Sequence, residues 1–360
     1  MRRYNTLLKG IAIAVMALTS MISFDAQSQY NRPQTPVPPY PYDTLEYVVN
    51  NTKANVQLSG TLTMPDNPKA VIVMATGSGS QNRDEEMFGH RPFKVIADYL
   101  SLNGYAVLRT DDRGIGQSTG DATLATTDDF AEDAKYAVES LKKLDALKDR
   151  PVGIIGHSEG GSIAIKCAPS VDFIITLAAP AIQGDSIILT QTKAMLDASG
   201  QGFAWDSLYP TLRKRYDTVM SNLPTSLLKI QLYNDVVKDI PPAMLTDQLI
   251  NQINAEISAM CSPWYRTFLR YNPAEDIRNI DIPWLALNGT KDLQVLCEDN
   301  TSTIKQLNPN ATIVVFDGLN HLFQQCNRGT VDEYAIIEQT ISPQVLETIL
   351  NWLNTSIATD

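Results

Sequence analysis

The composition of the chain narrows the class of protein before any motif is considered. Its 360 residues are 44% hydrophobic and 19% charged, which is enough apolar sequence for one large or two modest globular domains and is untypical of disordered or fibrous proteins. The formal net charge of −11 repels polyanions, so we expect neither nucleic acid nor an anionic membrane surface as the main partner.

The first element in chain order is an N-terminal targeting sequence. Basic residues near the start are followed by an apolar run over residues 11–18 and then by small and polar residues. This is the three-part pattern of a signal peptide, here over residues 1–28. The apolar run is shorter than the roughly 20 residues that a bilayer span needs, so we predict a secreted or periplasmic protein with no stable membrane span. The proline-rich residues 29–43 predict an extended tether or edge segment.

The remaining pattern predicts an α/β fold. Alternating apolar and polar residues over 44–64 indicate a β-hairpin, and the continuous apolar run at 70–75 indicates a strand buried on both faces. Strands and helices then alternate, which predicts a parallel sheet with right-handed crossovers. The later strands are predicted at residues 105–109, 152–155, 173–178, 284–288 and 312–316, and the helices at 88–102, 129–147, 160–167 and 343–353.

Residues 182–270 interrupt this alternation. They contain no clear strand, whereas 186–198 and 243–258 have an amphipathic helical pattern. A connection of this length is unusual, so we predict a helical lid over the catalytic edge of a core formed by 44–181 and 271–360, with a separate subdomain as the alternative. Its aromatic residues could line an acyl or aryl pocket or form the core of the lid: Phe203, Trp205, Tyr209, Trp264 and Tyr265.

The segment that carries most of the chemistry is the Gly-His-Ser-Glu-Gly pentapeptide centred on Ser158. A serine hydroxyl becomes a useful nucleophile when a tight turn exposes it near a base and near oxyanion-stabilising donors. Gly156 and Gly160 stand where a side chain would crowd such a turn. Because a predicted strand precedes the pentapeptide and a predicted helix follows it, we assign Ser158 as the nucleophile.

The small number of histidines limits the choice of the catalytic base. The chain has three histidines, and the side chain of His157 leaves the turn in another direction from that of Ser158. His90 is most simply a surface or pocket residue. His321 follows the predicted strand at 312–316, downstream of the serine, where the chain order of this type of triad requires the base.

The acid is expected between the serine and the histidine, just after a strand. Asp292 fits because it follows the strand at 284–288 and a glycine turn, and its carboxylate would orient the imidazole of His321. The competing carboxylates are Asp317, which could simply cap its loop, and Glu298 or Asp299 on the following helix.

Two backbone N–H groups are needed to stabilise an oxyanion. We assign them to Glu159, directly after the nucleophile, and to Ser78 in the glycine-rich loop that follows the strand at 70–75. The spacing of that loop matches neither a P-loop nor a dinucleotide fingerprint, so no cofactor is expected. No His or Cys cluster has metal-ligand spacing, so no metal is expected either.

Two charged segments and the cysteines have structural interpretations. Residues 81–86 could be anchored to residues 109–120 through Arg83 and Asp84, or both segments could be solvated polar loops. Four cysteines allow three pairings in an oxidising compartment. Cys167 is expected to be a buried free thiol, and a disulfide between Cys297 and Cys326 stays open.

Taken in order, residues 77–85, 111–120, 156–161, 289–292 and 320–321 resemble the motifs of the α/β-hydrolase superfamily. The resemblance is closest to bacterial serine esterases and acyl hydrolases similar to dienelactone hydrolases and acylaminoacyl peptidases. It implies an eight-stranded, mostly parallel sheet with helices on both faces, a Ser158/His321/Asp292 triad and ester hydrolysis through an acyl-enzyme. The chain departs from the pattern at Thr76, where many relatives have a histidine.

The leading hypothesis is therefore a secreted serine esterase that acts on a small-molecule carboxylic ester. A serine peptidase of the acylaminoacyl or prolyl type is one alternative, although such enzymes usually carry a large additional N-terminal domain. An acyltransferase or thioesterase is another. A binding protein without chemistry is disfavoured, because it has no reason to keep a nucleophile, an acid, a base and a glycine loop together. The sequence leaves the oligomeric state open.

Overall fold

A computed structural model describes residues 31–357 of the chain. These residues form one eight-stranded sheet in the order β1-β2-β4-β3-β5-β6-β7-β8. Strands β1, β2 and β4 pair antiparallel, and all other neighbours are parallel, so the predicted mostly parallel sheet is confirmed. The strands are β1 (Asp43–Asn51), β2 (Val56–Met64), β3 (Val71–Ala75), β4 (Ala106–Thr110), β5 (Val152–His157), β6 (Phe173–Leu177), β7 (Trp284–Gly289) and β8 (Thr312–Phe316).

The central strands are continuous apolar runs because both of their faces are covered. Every residue of β3 is buried, and successive side chains point to opposite sides of the sheet. Val71 and Val73 therefore join one core cluster, whereas Ile72 and Met74 join another on the opposite face. The edge strand β1 has no such cover, and most of its residues are exposed or half-buried.

Within residues 31–357, seven α-helices lie outside residues 182–270. Helices α2 and α3 contribute to the first cluster, and α1 and α12 to the second. The helices are α1 (Pro92–Leu102), α2 (Thr127–Leu141), α3 (Glu159–Cys167), α9 (Ala274–Arg278), α10 (Cys297–Leu307), α11 (Val331–Ile336) and α12 (Pro343–Ser356).

The starts of two predicted core helices differ from the structure by two residues or more. The helix predicted from residue 88 begins at Pro92, since Met87 and His90 exchange backbone hydrogen bonds in a turn and proline favours the first helical turn. The helix predicted over 129–147 spans Thr127–Leu141. It begins two residues earlier than expected because Thr126 and Asp129 form a capping box there.

The helical insertion (residues 182–270) lies between β6 and β7. Its five helices surround a hydrophobic cluster of their own, separate from the two clusters of the sheet. This cluster explains the amphipathic pattern of the segment, since each helix buries one face against the others. The helices are α4 (Gly184–Ala198), α5 (Trp205–Met220), α6 (Thr225–Val237), α7 (Asp247–Met260) and α8 (Pro263–Arg270).

The proline-rich segment predicted as a tether lies against the core. The guanidinium of Arg32 donates to the carbonyl oxygens of Phe88, Ala335 and Ile337, at 2.8 to 3.0 Å for the shortest contact to each. The side chain of Gln34 exchanges hydrogen bonds with the backbone of residues 340–341. These contacts satisfy backbone groups at Phe88, at the end of α11 and in the loop before α12, which is why the described part of this segment is docked. The predicted signal peptide, residues 1–28, lies outside the described residues.

The four cysteines are free thiols. The structure therefore does not contain the Cys297–Cys326 disulfide that the sequence left open. Cys167 is buried on α3 as expected, and burial raises its pKa to about 12, so the thiol is unreactive. No helix among residues 31–357 is long and apolar enough to cross a membrane.

Candidate active site

Ser158 occupies a sharp turn between β5 and α3. Its φ of 54° and ψ of −118° are rare for a residue with a side chain and signal backbone strain. The turn is tight because Gly156 and Gly160 leave no room for side chains: a Cβ on Gly156 would overlap the carbonyl of Gly160, and one on Gly160 would overlap that of Ala75. Ser158 is half-buried and lines a cleft, as a nucleophile must.

His321 and Asp292 form a fully buried pair. The Nδ1 atom of His321 lies 2.8 Å from Oδ2 of Asp292, and both side chains have 0% exposure. The other carboxylate oxygen accepts the backbone N–H groups of Gln294 at 2.8 Å and Val295 at 2.9 Å. The carboxylate is therefore held in one orientation toward the ring.

The competing carboxylates lie elsewhere. Asp317 is exposed and accepts a hydrogen bond from the hydroxyl of Thr290 at 3.0 Å, so it organises its own loop. Glu298 is exposed and Asp299 half-buried in the first turn of α10. Among the three histidines, both ring nitrogens of His90 and of His157 have hydrogen-bond partners. Nε2 of His321 is buried and has none among residues 31–357.

Ser78, Ser158 and Glu159 line the same cleft, which has a volume of about 430 Å³ including its open mouth. Glu159 is the first residue of α3, where a backbone N–H has no partner within the helix and the helix dipole favours negative charge. Gln294 and Val295, whose N–H groups bind Asp292, line the same cleft. The structure thus brings the predicted nucleophile and oxyanion donors together and places the residues that bind Asp292 beside them.

The loop that carries Ser78 is anchored by a network of charged groups. Arg83 donates to Asp111 through its backbone N–H at 2.7 Å and its guanidinium at 2.8 Å, and Arg109 forms an ion pair with Asp84. The predicted anchoring of residues 81–86 to residues 109–120 is therefore confirmed, and the alternative of solvated loops is wrong.

Thr76, the departure from the superfamily pattern, has a specific partner. Its hydroxyl donates to Oδ1 of Asp112 at 2.9 Å, and Oδ2 of Asp112 accepts the backbone N–H of Gln81 at 2.8 Å. The carboxylate of Asp112 therefore bridges the two residues that flank the glycine-rich loop. Burial, opposed by these two hydrogen bonds, raises the pKa of Asp112 to about 8.

Sequence reasoning missed Glu85 and misjudged the importance of His157. Oε1 of Glu85 accepts the backbone N–H of Gly77 at 2.6 Å and lies 2.9 Å from Nδ1 of His157. The other ring nitrogen of His157 lies 2.9 Å from the carbonyl oxygen of His321, and the two imidazole rings are 4.7 Å apart. The only sequence signal was the position of His157 beside Ser158, because Glu85 lies 72 residues away.

The side chain of Glu159 was also missed, since the prediction concerned only its backbone. Its buried Oε1 accepts hydrogen bonds from Thr127 on α2 at 2.6 Å and from the indole of Trp264 at 2.7 Å, and the side chain of Ser78 is a third partner. Burial raises the pKa of Glu159 against these bonds. One carboxyl group therefore connects the Ser78 loop, the core and the helical insertion.

No group of three or more His, Cys, Asp or Glu side chains in residues 31–357 is arranged to hold a metal ion.

The fold is that of the α/β-hydrolases. The chain aligns structurally with the α/β-hydrolase GrgF of Penicillium sp. sh18 at a TM-score of 0.56 and 16% identity, covering 89% of this chain and 100% of that protein. It aligns with the esterase Pf2001 of Pyrococcus furiosus at a TM-score of 0.54 and 18% identity, covering 92% and 99%.

The sequence comparisons are more specific. The family model described as serine aminopeptidase, S33, matches residues 66–253, which is more than half of the chain. The chain belongs to this serine aminopeptidase family. It is also 26% identical over 334 residues to the esterase EstD of Thermotoga maritima, covering 91% of this chain and 71% of EstD.

Proposed function

We propose that this protein hydrolyses carboxylic esters through Ser158, His321 and Asp292, with an acyl-enzyme intermediate. The observation that carries the proposal is the state of His321. Its Nδ1 lies 2.8 Å from the buried carboxylate of Asp292, and the tautomer that donates Nδ1–H to this acceptor leaves a lone pair on Nε2. A buried nitrogen without a hydrogen-bond partner among residues 31–357 is unfavourable, and a serine hydroxyl that donates its proton to Nε2 would satisfy it.

Each of the proposed catalytic residues has one role in the reaction. Ser158 attacks the ester carbonyl while Nε2 of His321 takes its proton, and Asp292 stabilises the resulting imidazolium. The negative charge that develops on the carbonyl oxygen is stabilised by the backbone N–H groups of Glu159 and Ser78, each worth about 3 kcal/mol of the barrier. The imidazolium then protonates the departing alcohol. Water next attacks the acyl-enzyme while His321 takes its proton, and return of that proton to Ser158 releases the acid.

The family description also raises an aminopeptidase as a second candidate. The free amino terminus of an aminopeptidase substrate is a cation, which an ionised carboxylate binds strongly through charge-assisted hydrogen bonds. Of the ten described residues that line the Ser158 cleft, only Glu159 carries a carboxyl group. Its Oε1 is occupied by Thr127 and Trp264, and its pKa is raised by burial. This favours a neutral ester over a peptide with a charged amino terminus. The names of EstD and Pf2001 agree with that preference.

A paired assay separates the two candidates. Purified protein is tested on p-nitrophenyl acetate and butyrate and, at equal concentrations, on aminoacyl p-nitroanilides. We expect ester hydrolysis that Ser158→Ala abolishes and anilide hydrolysis that is at least about a hundredfold slower. A preference for the anilides would assign the aminopeptidase activity, and ester hydrolysis that survives Ser158→Ala would refute the proposed nucleophile.

We also propose that the protein is exported to the periplasm or the medium. The support is the basic, apolar and polar order of residues 1–28. Expression of the full chain in a bacterial host, followed by N-terminal sequencing of the protein outside the cytoplasm, tests this. A mature protein that begins near residue 29 is expected, and full-length protein retained in the cytoplasm would contradict it.

A further inference from the structure

A second cleft lies on the other side of the Ser78 loop. It has a volume of about 900 Å³ including its open mouth, and it lies between that loop and the helical insertion. Gly79, Ala122 and Phe130 contribute to its core side, and Met260 and Trp264 to the insertion side. None of the ten described residues that line it is an Asp, Glu, Lys, Arg or His, so the cleft suits an apolar and uncharged group.

Two stacked aromatic rings connect this cleft with the Ser158 cleft. Trp264 faces the apolar cleft and Phe268 the Ser158 cleft, and their rings stack with centroids 5.4 Å apart. The indole N–H of Trp264 is held by Glu159, directly after the nucleophile. The same carboxyl group holds the side chain of Ser78, whose neighbour Gly79 lines the apolar cleft. The two clefts therefore share one boundary at the reacting centre.

The positions of the two clefts relative to His321 indicate which cleft binds the alcohol part of an ester and which binds the acyl part. His321 must reach the oxygen of the departing alcohol in order to protonate it. Among the residues that line the Ser158 cleft, Gln294 and Val295 donate their N–H groups to Asp292, so the part of the cleft that they form is next to the His321–Asp292 pair. The alcohol therefore belongs in that part. The acyl group extends the other way, along the Ser78 loop toward the apolar cleft.

We propose that the apolar cleft binds the acyl group of the substrate and that Trp264 and the end of α7 determine acyl size. The inference rests on the proposed esterase function and adds the substrate class: esters of long alkyl or aryl carboxylic acids, which the enzyme hydrolyses in preference to acetate esters or esters of charged acids. Of the five aromatic residues noted in the insertion sequence, Trp264 and Tyr265 line the cleft. Phe203 is 84% exposed, and the rings of Trp205 and Tyr209 contact each other instead.

The test fills the cleft without touching the catalytic residues. Ala259 near the end of α7 lines the cleft and is half-buried, whereas Ala255, one turn earlier on α7, is exposed. We therefore compare Ala259→Trp with Ala255→Trp as the matched control. The substrates are p-nitrophenyl acetate, butyrate, octanoate and benzoate, which share one alcohol. A parallel series of acetate esters varies the alcohol.

The wild-type protein is expected to prefer octanoate or benzoate to acetate. Ala259→Trp should lower kcat/KM for those two esters at least about tenfold and leave acetate within about twofold, since filling an apolar pocket excludes large groups only. Ala255→Trp should match the wild type. Ala122→Trp, from the opposite wall, provides a second filled variant if Ala259→Trp does not fold.

Two results would overturn the proposal: unchanged acyl selectivity in both filled variants, or a change confined to the alcohol series. Neither result would contradict the esterase proposal, because that proposal depends on the hydrolysis of acetate esters and on its loss in Ser158→Ala.

Discussion

The ring of His157 donates Nε2–H to the carbonyl oxygen of His321 over 2.9 Å. Its Nδ1 faces Glu85, whose Oε1 also accepts the N–H of Gly77. Both ring nitrogens therefore face acceptors, which a protonated imidazolium satisfies. Burial by itself would lower the pKa of His157, but the charge of Glu85 and the hydrogen bonds outweigh burial and raise it. A buried ion pair thus joins the Ser78 loop to the loop that carries His321.

Removing the charge of Glu85 should loosen both loops at once. We expect Glu85→Gln to lower kcat on p-nitrophenyl butyrate about tenfold or more with a smaller change in KM, because misplacement of catalytic groups slows the chemical step. Steady-state kinetics across a range of pH checks this. Glu86→Gln is the matched control, since Glu86 pairs with Arg91 and not with His157. Equal kinetics for the two variants would refute the positioning role.

Asp292 and Asp317 offer a direct test of the acid. Asp292→Asn should reduce kcat by about 10⁴, because the amide can no longer hold the required tautomer of His321. Asp317→Asn should leave kcat within about twofold, since Asp317 is exposed and bonded to Thr290. The measurement is ester turnover under saturating substrate. A larger loss in Asp317→Asn would reassign the acid.

Asp112 should make the stability of the protein depend on pH. Its pKa is 3.8 when unfolded and about 8 when folded, so between these values the folded chain holds a proton that the unfolded chain has released. The free energy of unfolding therefore falls as pH rises from about 4 to 8, by up to about 1.4 kcal/mol per pH unit for one proton. Asp112→Asn mimics the protonated group and should remove this contribution.

The measurement is urea denaturation between pH 4 and pH 9. His157 acts in the same direction, because its raised pKa stabilises the fold at low pH and this contribution is lost as pH rises through the folded-state pKa. A slope should therefore persist in Asp112→Asn, smaller than in the wild type. Asp66→Asn, at an exposed position, should keep the wild-type slope. An unaltered slope in Asp112→Asn would contradict the assignment.

The turn at Ser158 should not tolerate a methyl group. Gly160→Ala places a Cβ against the backbone carbonyl of Ala75, which cannot yield without moving β3, so we expect a loss of about 3 kcal/mol or more. In Gly200→Ala the new Cβ has no atom within 4 Å, and the only cost is the strain of an alanine at a φ of 73°. We therefore expect a loss of about 1 kcal/mol in the free energy of unfolding. Comparable losses in thermal or urea unfolding would contradict the close approach.

The sheet and the motif-bearing loops could be predicted because each depends on local pattern. Buried parallel strands such as β3 are continuous apolar runs, and the turn at Ser158 requires glycines at fixed spacing. The long-range contacts could not be predicted. Glu85 meets His157 only after β3 and β5 pair, and Trp264 meets Glu159 only after the helical insertion folds over the sheet edge. The docking of Arg32 similarly depends on carbonyl groups about 300 residues away.

Covalent labelling of Ser158 tests the central claim most directly. Incubation of the purified protein with a fluorophosphonate, followed by peptide mass spectrometry, should place one phosphonyl group per chain on Ser158 with parallel loss of ester hydrolysis. Asp292→Asn should be labelled much more slowly, because its His321 is a poorer base. Full inactivation with the label on another residue, or hydrolysis that persists after Ser158 is fully labelled, would contradict the account.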